Sequence, residues 1–275
     1  MLVSIIIPAY RAQTTLARAV RSALAQSWTD IEVIVVADDR FDYQLLVKND
    51  GINDRRLRFA STGHVGSGCH HARNVGLAEA RGDFIAALDA DDVHLPTRLA
   101  VLLPLALAKG AASDNPVVVS DSTSTQLYRA LDTGFERRSL DAAALLNLSV
   151  PLFPLVAREY AEPRLAGIEL GEDFVANLRL IDRLGGLTVC EDTLSQYRVI
   201  RGSLAHSDTS AEGFEKSYTA MIERLETGDR LGLSAPTAAI ARDSLIRKRE
   251  FNRAFAKARA AEPDLDFQAF AARKR

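Results

Sequence analysis

Three carboxylates fall within four residues, at Asp89, Asp91 and Asp92, directly after the short apolar run 84–88. That run has strand length, and burying it is favourable whereas burying its acids is not. The acids are therefore expected just past the strand's carboxyl end, where open α/β sheets place their ligands. Carboxylates crowded in this way repel one another unless a cation or a hydrogen-bond donor joins them. A hard divalent ion, Mg²⁺ or Mn²⁺, takes oxygen ligands and shares them with substrate phosphates, so the spacing suits a metal with a phosphate behind it. Two further acidic pairs stand at comparable places. Asp38 and Asp39 end the strand-like run 31–37, and Glu172 and Asp173 open the helical segment 173–183. Acids in a first helical turn also complement the helix dipole, whatever else they do. Arg73 and Asn74 open the helix 70–80 on the side nearest the acids. The histidines show no H-E-x-x-H spacing; each reads as surface or structural, with His206 placed to approach a metal from a C-terminal loop.

These groups need elements to hold them. Apolar, β-branched runs at 2–7, 31–37, 57–61 and 84–88 alternate with helical patterns at 14–25, 43–48 and 70–80. Strand and helix in strict alternation imply a parallel sheet with right-handed crossovers. Pro8 is expected to end the first strand, because it has no N–H for the ladder. The loop 62–69 holds Gly63, Gly66 and Gly68 ahead of a helix, a composition that lets backbone amides approach a phosphate. Its spacing is not G-x-G-x-x-G, and a mobile loop is the plainer alternative. After the acids come a helix over 95–109, interrupted or kinked at Pro104, a loop over 110–116 and a strand over 117–120. The second half reads as a helix at 139–147, an apolar run 152–157 broken by Pro154, a loop at 160–167, the helix 173–183, and strands at 187–189 and 193–197. From Ala211 the pattern is helical, in two pieces separated by 227–236. The last helix, 237–261, carries Arg242, Arg247, Lys248, Arg249, Arg253, Lys257 and Arg259. That is the solvated face of a packed helix, or a contact for an anionic lipid surface or an acidic acceptor.

Composition narrows the classes further. The 275 residues are 47% hydrophobic and 25% charged, enough for a sizeable core, and the formal net charge of -2 offers no basic field for nucleic acid. Cys69 and Cys190 lie far apart without zinc or redox spacing, which points to a reducing compartment. No basic leader is visible, and no uninterrupted apolar run reaches the roughly 20 residues needed to span a bilayer. The expectation is a cytoplasmic protein, with peripheral membrane attachment left open.

Six pieces then recur in order: S-I-I-I-P-A-Y at 4–10, A-D-D after the second strand, A-R-N-V-G-L at 72–77, R-G-D-F-I-A-A-L-D-A-D-D at 81–92, G-E-D-F at 171–174 and Y-R at 197–198. In that order and spacing the chain resembles the inverting family 2 glycosyltransferases of the GT-A fold, over roughly residues 3–207. The resemblance implies an α/β, Rossmann-like, mostly parallel central sheet flanked by helices in 1–207, with a helical C-terminal extension in 208–275. It implies that Pro8, Ala9 and Tyr10 line the nucleoside pocket, that Asp39 or Asp38 hydrogen-bonds the base edge, and that Arg73 lies close to base or phosphates. Asp89 would meet the ribose or the metal shell, with Ala90 beside it in the donor site, and Asp91 would ligate Mn²⁺ or Mg²⁺. Asp173, before Glu172, would be the general base. The implied donor is a nucleotide sugar, a UDP-sugar first, and the acceptor a saccharide, lipid-linked or other hydroxyl. The chain departs from the family at Asp38-Asp39-Arg40-Phe41-Asp42, where glycine, serine or further acids often follow the first acidic pair. It also lacks the Q-x-x-R-W of processive enzymes, having only Gln196-Tyr197-Arg198, so a single addition is expected. Two rivals are a sugar-phosphate nucleotidyltransferase and a non-catalytic sugar-nucleotide-binding protein. The first would show a basic, glycine-rich loop where Pro8-Ala9-Tyr10 stands, and the second would have lost acids that are all present.

Overall fold

The computed structural model describes residues 1–200, 203, 210–262, 265, 267, 270 and 273. In its first part, strands β1 (Val3–Ala9), β2 (Ile31–Ala37), β3 (Leu57–Ser61) and β4 (Phe84–Ala87) alternate with helices α1 (Leu16–Leu24), α2 (Tyr43–Asn49) and α3 (Cys69–Glu79). There follow β5 (Val93–His94), α4 (Arg98–Lys109), β6 (Ala111–Ser113), β7 (Val117–Ser120), β8 (Gln126–Arg129), β9 (Arg137–Leu140), α5 (Ala142–Leu146) and β10 (Leu155–Ala157). The remainder is α6 (Glu172–Leu184), β11 (Leu187–Cys190), β12 (Ser195–Val199), α7 (Ser210–Glu226) and α8 (Ala235–Ala261).

The main sheet has the order β3-β2-β1-β4-β10-β6-β11-β9, and a smaller sheet has the order β5-β12-β7-β8. β1 runs parallel to both β2 and β4, with Ile6 opposite Ile34 on one side and Ala87 on the other. Its side chains are buried on both faces, as expected for a central parallel strand rather than a half-solvated one. One face packs on α1 and α4 through Leu16, Val20, Leu99 and Leu102, and the other on α3 through Ala72. A separate core joins α5, α6 and β11 to α7 and α8 through Leu145, Leu178, Val189, Met221 and Leu245. The C-terminal helices therefore share apolar contacts with the second half of the chain.

Several local expectations are corrected. Pro8 does not end β1: the strand runs to Ala9, with Pro8 opposite Val36. Bonding directions alternate along a strand, and Pro8 faces the β4 side after the β1–β4 pairing has stopped at Ile6, so no carbonyl there needs its missing N–H. Helix α4 continues through Pro104, whose ring lies on the exposed face while Leu99, Leu102, Leu103 and Ala106 bury the opposite one. The expected loop 110–116 contains β6, whose small residues carry little strand signal and are fixed by β10 and β11 on either side. The expected helix 139–147 is split: β9 pairs with β11, and Asp141 caps α5 by accepting the Ala144 N–H at 2.8 Å. The strand expected at 193–197 is displaced by two residues, to β12, and α3 ends at Glu79.

Candidate functional site

The chain leaves β4 into Asp89, Asp91 and Asp92, which each offer an oxygen within 4.8 Å of the others. Asp92 is buried and accepts the Arg198 N–H at 2.7 Å. Arg18 steadies the turn by donating to the Asp91 carbonyl at 2.8 Å while pairing with Asp121 at 2.8 Å. Burial and the Asp89 charge push the Asp91 carboxyl up to about 6, and burial with Asp91 and Asp89 holds Asp92 well above the usual carboxylate range. Three oxygen donors short of positive charge fit a hard divalent ion. Among the described residues no histidine joins this cluster. His206 lies outside the described residues.

Arg73, one turn into α3, connects this cluster to the second half. Helix α3 is entered through Gly68, where φ is 99° and a Cβ would stand 2.8 Å from the His70 ring. It packs closely on β1 because Gly76 has no side chain: a Cβ there would lie 2.3 Å from Ile6 Cγ2. The Arg73 guanidinium is buried and pairs with Asp89 at 2.5 Å, with Asp173 at 3.1 Å and with Glu172. Its Cζ lies 5.2 Å from the Phe153 ring centroid. Glu172 and Asp173 open α6, after Gly171 in the left-handed region. Arg164 approaches both from the loop ahead of α6, at 3.6 Å and 4.0 Å.

These adjacent acids are driven apart. Burial acts to raise Glu172, but the Arg73 and Arg164 cations outweigh it and hold the carboxylate ionised below its ordinary range. Asp173 is pushed up to about 7 by burial, against Arg73 and with the Glu172 charge beside it. A carboxylate poised near neutrality next to one kept ionised can exchange a proton near pH 7 without its neighbour changing charge.

At the other edge, the loop 62–69 is pinned to the end of β2. Asp38 accepts the Thr62 hydroxyl at 2.7 Å, the Ser67 N–H at 3.1 Å, the Ser67 hydroxyl, and the Gly68 N–H at 2.9 Å. Burial opposes ionisation there, yet those donors keep Asp38 below the usual range. Asp39 accepts the Arg11 N–H at 2.6 Å and the Tyr43 hydroxyl at 2.8 Å on one oxygen, and the Phe41 N–H at 3.1 Å on the other. Three of the donors to Asp38 crowd onto Oδ1 and one reaches Oδ2 of a side chain only 3% exposed, whereas Asp39 is half-buried and its Oδ1 accepts a single donor. Ala9 is buried at the strand end, whereas Tyr10 is 44% exposed, with the Arg11 guanidinium 5.1 Å from its ring and Gly66 beside it.

The structure thus brings Arg73, Asp89, Glu172 and Asp173 together, sets Ala90, Asp91 and Asp92 at the same strand end, and gathers Tyr10, Asp38 and Asp39 at the neighbouring one. Arg198 is turned toward Asp121, 2.7 Å away. Sequence reasoning missed Arg164 and Phe153, which lie in irregular segments without periodicity. It also missed the buried pair Arg98–Asp114 at 2.9 Å, whose partners lie on α4 and in the loop after β6.

The family model described as glycosyl transferase family 2 matches residues 4–152. The chain is 36% identical over 154 residues to the succinoglycan biosynthesis protein ExoO of Rhizobium meliloti, covering 55% of this chain and 41% of that protein. It is 35% identical over 106 residues to the UDP-Glc:alpha-D-GlcNAc-diphosphoundecaprenol beta-1,3-glucosyltransferase WfgD of Escherichia coli, covering 38% of this chain and 41% of that protein. The match spans about two-fifths of the length of these curated relatives. Among solved structures it is similar to S. aureus TarS 1-349, with a TM-score of 0.65 at 17% identity over 98% of this chain and 76% of that one. A structure of TarS 1-349 in complex with UDP-GlcNAc gives a TM-score of 0.62 at 16% identity over 98% and 77%.

Proposed function

Since the chain belongs to glycosyl transferase family 2 and has the GT-A fold, we propose that it is an inverting, metal-dependent transferase that moves one sugar from a UDP-sugar to an acceptor hydroxyl. The observation that carries this reading is the single buried arginine that joins Asp89 to Glu172 and Asp173, with Asp173 raised to about 7.

In this reading Asp173 takes the proton of the acceptor hydroxyl as its oxygen attacks the anomeric carbon opposite the departing diphosphate. An α-linked donor then gives a β-linked product, without a covalent intermediate. Glu172 stays ionised beneath Arg73 and Arg164, so the base keeps one geometry and one electrostatic neighbour. Arg73 adds positive charge close to where charge grows on the leaving group. Asp91 and Asp89 would hold Mn²⁺ or Mg²⁺, with Asp92 supporting the turn behind them. Such an ion, when bound, offsets the charge of the diphosphate.

Tyr10, Pro8 and Ala9 form the nucleoside wall. Asp39, half-buried and with a lone pair left on Oδ1, takes the base edge in preference to Asp38, which is buried beneath the glycine loop that its four donors fix. The catalytic unit is 1–207, and 208–275 is the extension that completes its second core. The name of WfgD, a diphosphoundecaprenol-linked glucosyltransferase, supports a lipid-linked acceptor. Among the described residues no helix is long and apolar enough to cross a membrane. We place the reaction in the cytoplasm with peripheral contact through α8; the free thiols Cys69 and Cys190 suit a reducing compartment.

The test is release of nucleotide from a panel of UDP-, GDP- and dTDP-sugars in Mn²⁺, in Mg²⁺ and in EDTA, followed by NMR of the product anomer. Hydrolysis of a UDP-sugar that needs the metal, with inverted product, is expected. Turnover unaffected by EDTA removes the metal from the reading, and retention of configuration removes Asp173 as base.

A further inference from the structure

Asn74 follows Arg73 on α3, about 100° further round the helix, so the two side chains leave it in different directions. Arg73 goes to the acids, and the Asn74 amide goes to the loop ahead of α6. Its Oδ1 accepts the Arg164 N–H at 2.7 Å, and its Nδ2 donates to the Arg164 carbonyl at 3.0 Å. One amide thus holds both backbone groups of one residue, as a neighbouring strand would, although residues 161–171 form neither helix nor strand. A carboxylate in its place would have no donor, and a hydroxyl would have to serve both groups from one oxygen.

The residue held in this way is the second cation of the acidic site. Arg164 Nη1 lies 3.6 Å from Glu172 Oε2 and 4.0 Å from Asp173 Oδ1, beyond hydrogen-bond range. Nη1 and Glu172 Oε2 are both buried without a hydrogen-bond partner. A guanidinium free to move would close on these oxygens, since charge-assisted bonds form at about 2.7–2.9 Å. Packing does not hold it back: Arg164 borders a cavity of about 80 Å³, shared with Asn74, Phe153, Asn177 and Leu180, which is room for several waters. The backbone clamp is the restraint that remains. We propose that Asn74 is a positioning residue for the base: by clamping the Arg164 backbone it holds the second guanidinium off Glu172 and Asp173, where its charge acts without occupying the oxygen that must receive the proton. The role at the base rests on the glycosyltransferase reading, whereas the clamp does not.

The test is a double-mutant cycle in the full chain between Asn74→Ala and Arg164→Met, read in two ways. Methionine removes the guanidinium but keeps the backbone groups that Asn74 holds. The clamp should therefore stabilise both backgrounds alike, with equal falls in melting midpoint when it is lost. Catalysis should part from stability. With UDP-glucose and UDP-GlcNAc as donors in Mn²⁺, Asn74→Ala is expected to lower kcat for donor hydrolysis about tenfold at unchanged donor KM, within the roughly 10²-fold that an ångström of misplacement can cost. In the Arg164→Met background the same substitution should change kcat by less than about twofold. Additive losses of kcat, or an unchanged kcat in Asn74→Ala, overturn the proposal, because a purely structural residue acts alike in both backgrounds. If the alanine variant does not fold, Asn74→Asp, which keeps the acceptor and loses the donor, enters the same cycle. Crystals of the wild type and the variant supply a readout free of turnover. The Arg164 guanidinium is expected to leave its place beside Glu172 in the variant, and an unmoved guanidinium overturns the proposal. A wild type that hydrolyses neither donor and binds no UDP overturns the glycosyltransferase reading, and the clamp is then judged by the crystals.

Discussion

Arg73 and Arg98 are both buried, both charged and both in touch with Phe153, yet their surroundings are opposite. Arg98 meets one carboxylate, Asp114, at 2.9 Å, and each partner is 1% exposed. The second oxygen of Asp114 accepts the Leu194 N–H at 3.1 Å and the Ser195 hydroxyl at 2.6 Å, so the pair ties α4 to the start of β12. Arg73 instead meets Asp89, Glu172 and Asp173 together. Even with Arg164 at 3.6 Å and 4.0 Å from two of them, three acids outnumber two cations, and burial with the Glu172 charge pushes Asp173 up to about 7. A matched buried pair is a strut, whereas a mismatched one has been kept despite its cost, which marks it as the place where a proton can move.

The sharpest way to break that contrast is Asp173→Asn. Transfer should fall by about 10²- to 10⁴-fold, the range of general-base catalysis, while UDP affinity holds. In the wild type, kcat/KM should fall about tenfold per pH unit below about 7, because the base must be unprotonated to act. Stability has the opposite sign. The folded state keeps a proton on Asp173 that the unfolded chain releases near the ordinary aspartate value, so the raised pKa favours folding at low pH and that contribution is lost as pH rises through about 7. Thermal melts should therefore show Asp173→Asn gaining on the wild type between pH 5 and pH 8. Wild-type transfer by the variant, or a gain independent of pH, would remove Asp173 as the strained member.

Arg98→Met tests the matched pair. Removing one partner strands Asp114 in the interior, and urea unfolding should show a loss of about 3–5 kcal/mol. Whatever protein remains folded should keep its affinity for UDP, as befits a strut. Asp91→Asn acts on the surplus side with a smaller effect. Losing one metal ligand should weaken Mn²⁺-dependent UDP binding by roughly 10- to 100-fold, as disturbances of a metal's ligand set do, with little change in unfolding. Equal UDP affinity with and without Mn²⁺ in both proteins would falsify that assignment.

The sequence made one member of this contrast visible and concealed the other. Asp89, Asp91, Glu172, Asp173 and Arg73 each lie at a strand end or a helix start with a local pattern to mark them, and β1 to β4 announce themselves as apolar runs between helical periods. Arg98 and Asp114 have no such mark, since their pairing depends on α4 and β6 folding back toward each other. β6 and β9 were illegible for a related reason. Short strands rich in alanine, arginine and serine are selected by their neighbours in the sheet and not by their own propensity. Arg164 and Lys248 reach α6 from a loop and from α8, so neither could be placed before the tertiary fold. Even the choice between Asp38 and Asp39 needed the loop that buries one of them.

Phe153 offers the finest test, because it serves the two arginines through different atoms. Its ring faces Arg73 at 5.2 Å, while its carbonyl accepts from Arg98. Phe153→Leu removes the ring and leaves the carbonyl, so the two roles separate within one residue. A half-buried cation–π contact is worth about 0.5–2 kcal/mol, and its loss should let the Arg73 guanidinium shift among its three acids. A fall of about three- to tenfold in kcat is expected, with a lower apparent pKa in the pH profile if Arg73 moves closer to Asp173. The Arg98 strut should be untouched, and the unfolding midpoint should change by no more than the loss of a partly exposed ring. A large loss of stability with normal kcat would show that Phe153 belongs to the strut and that the two buried arginines are coupled through it.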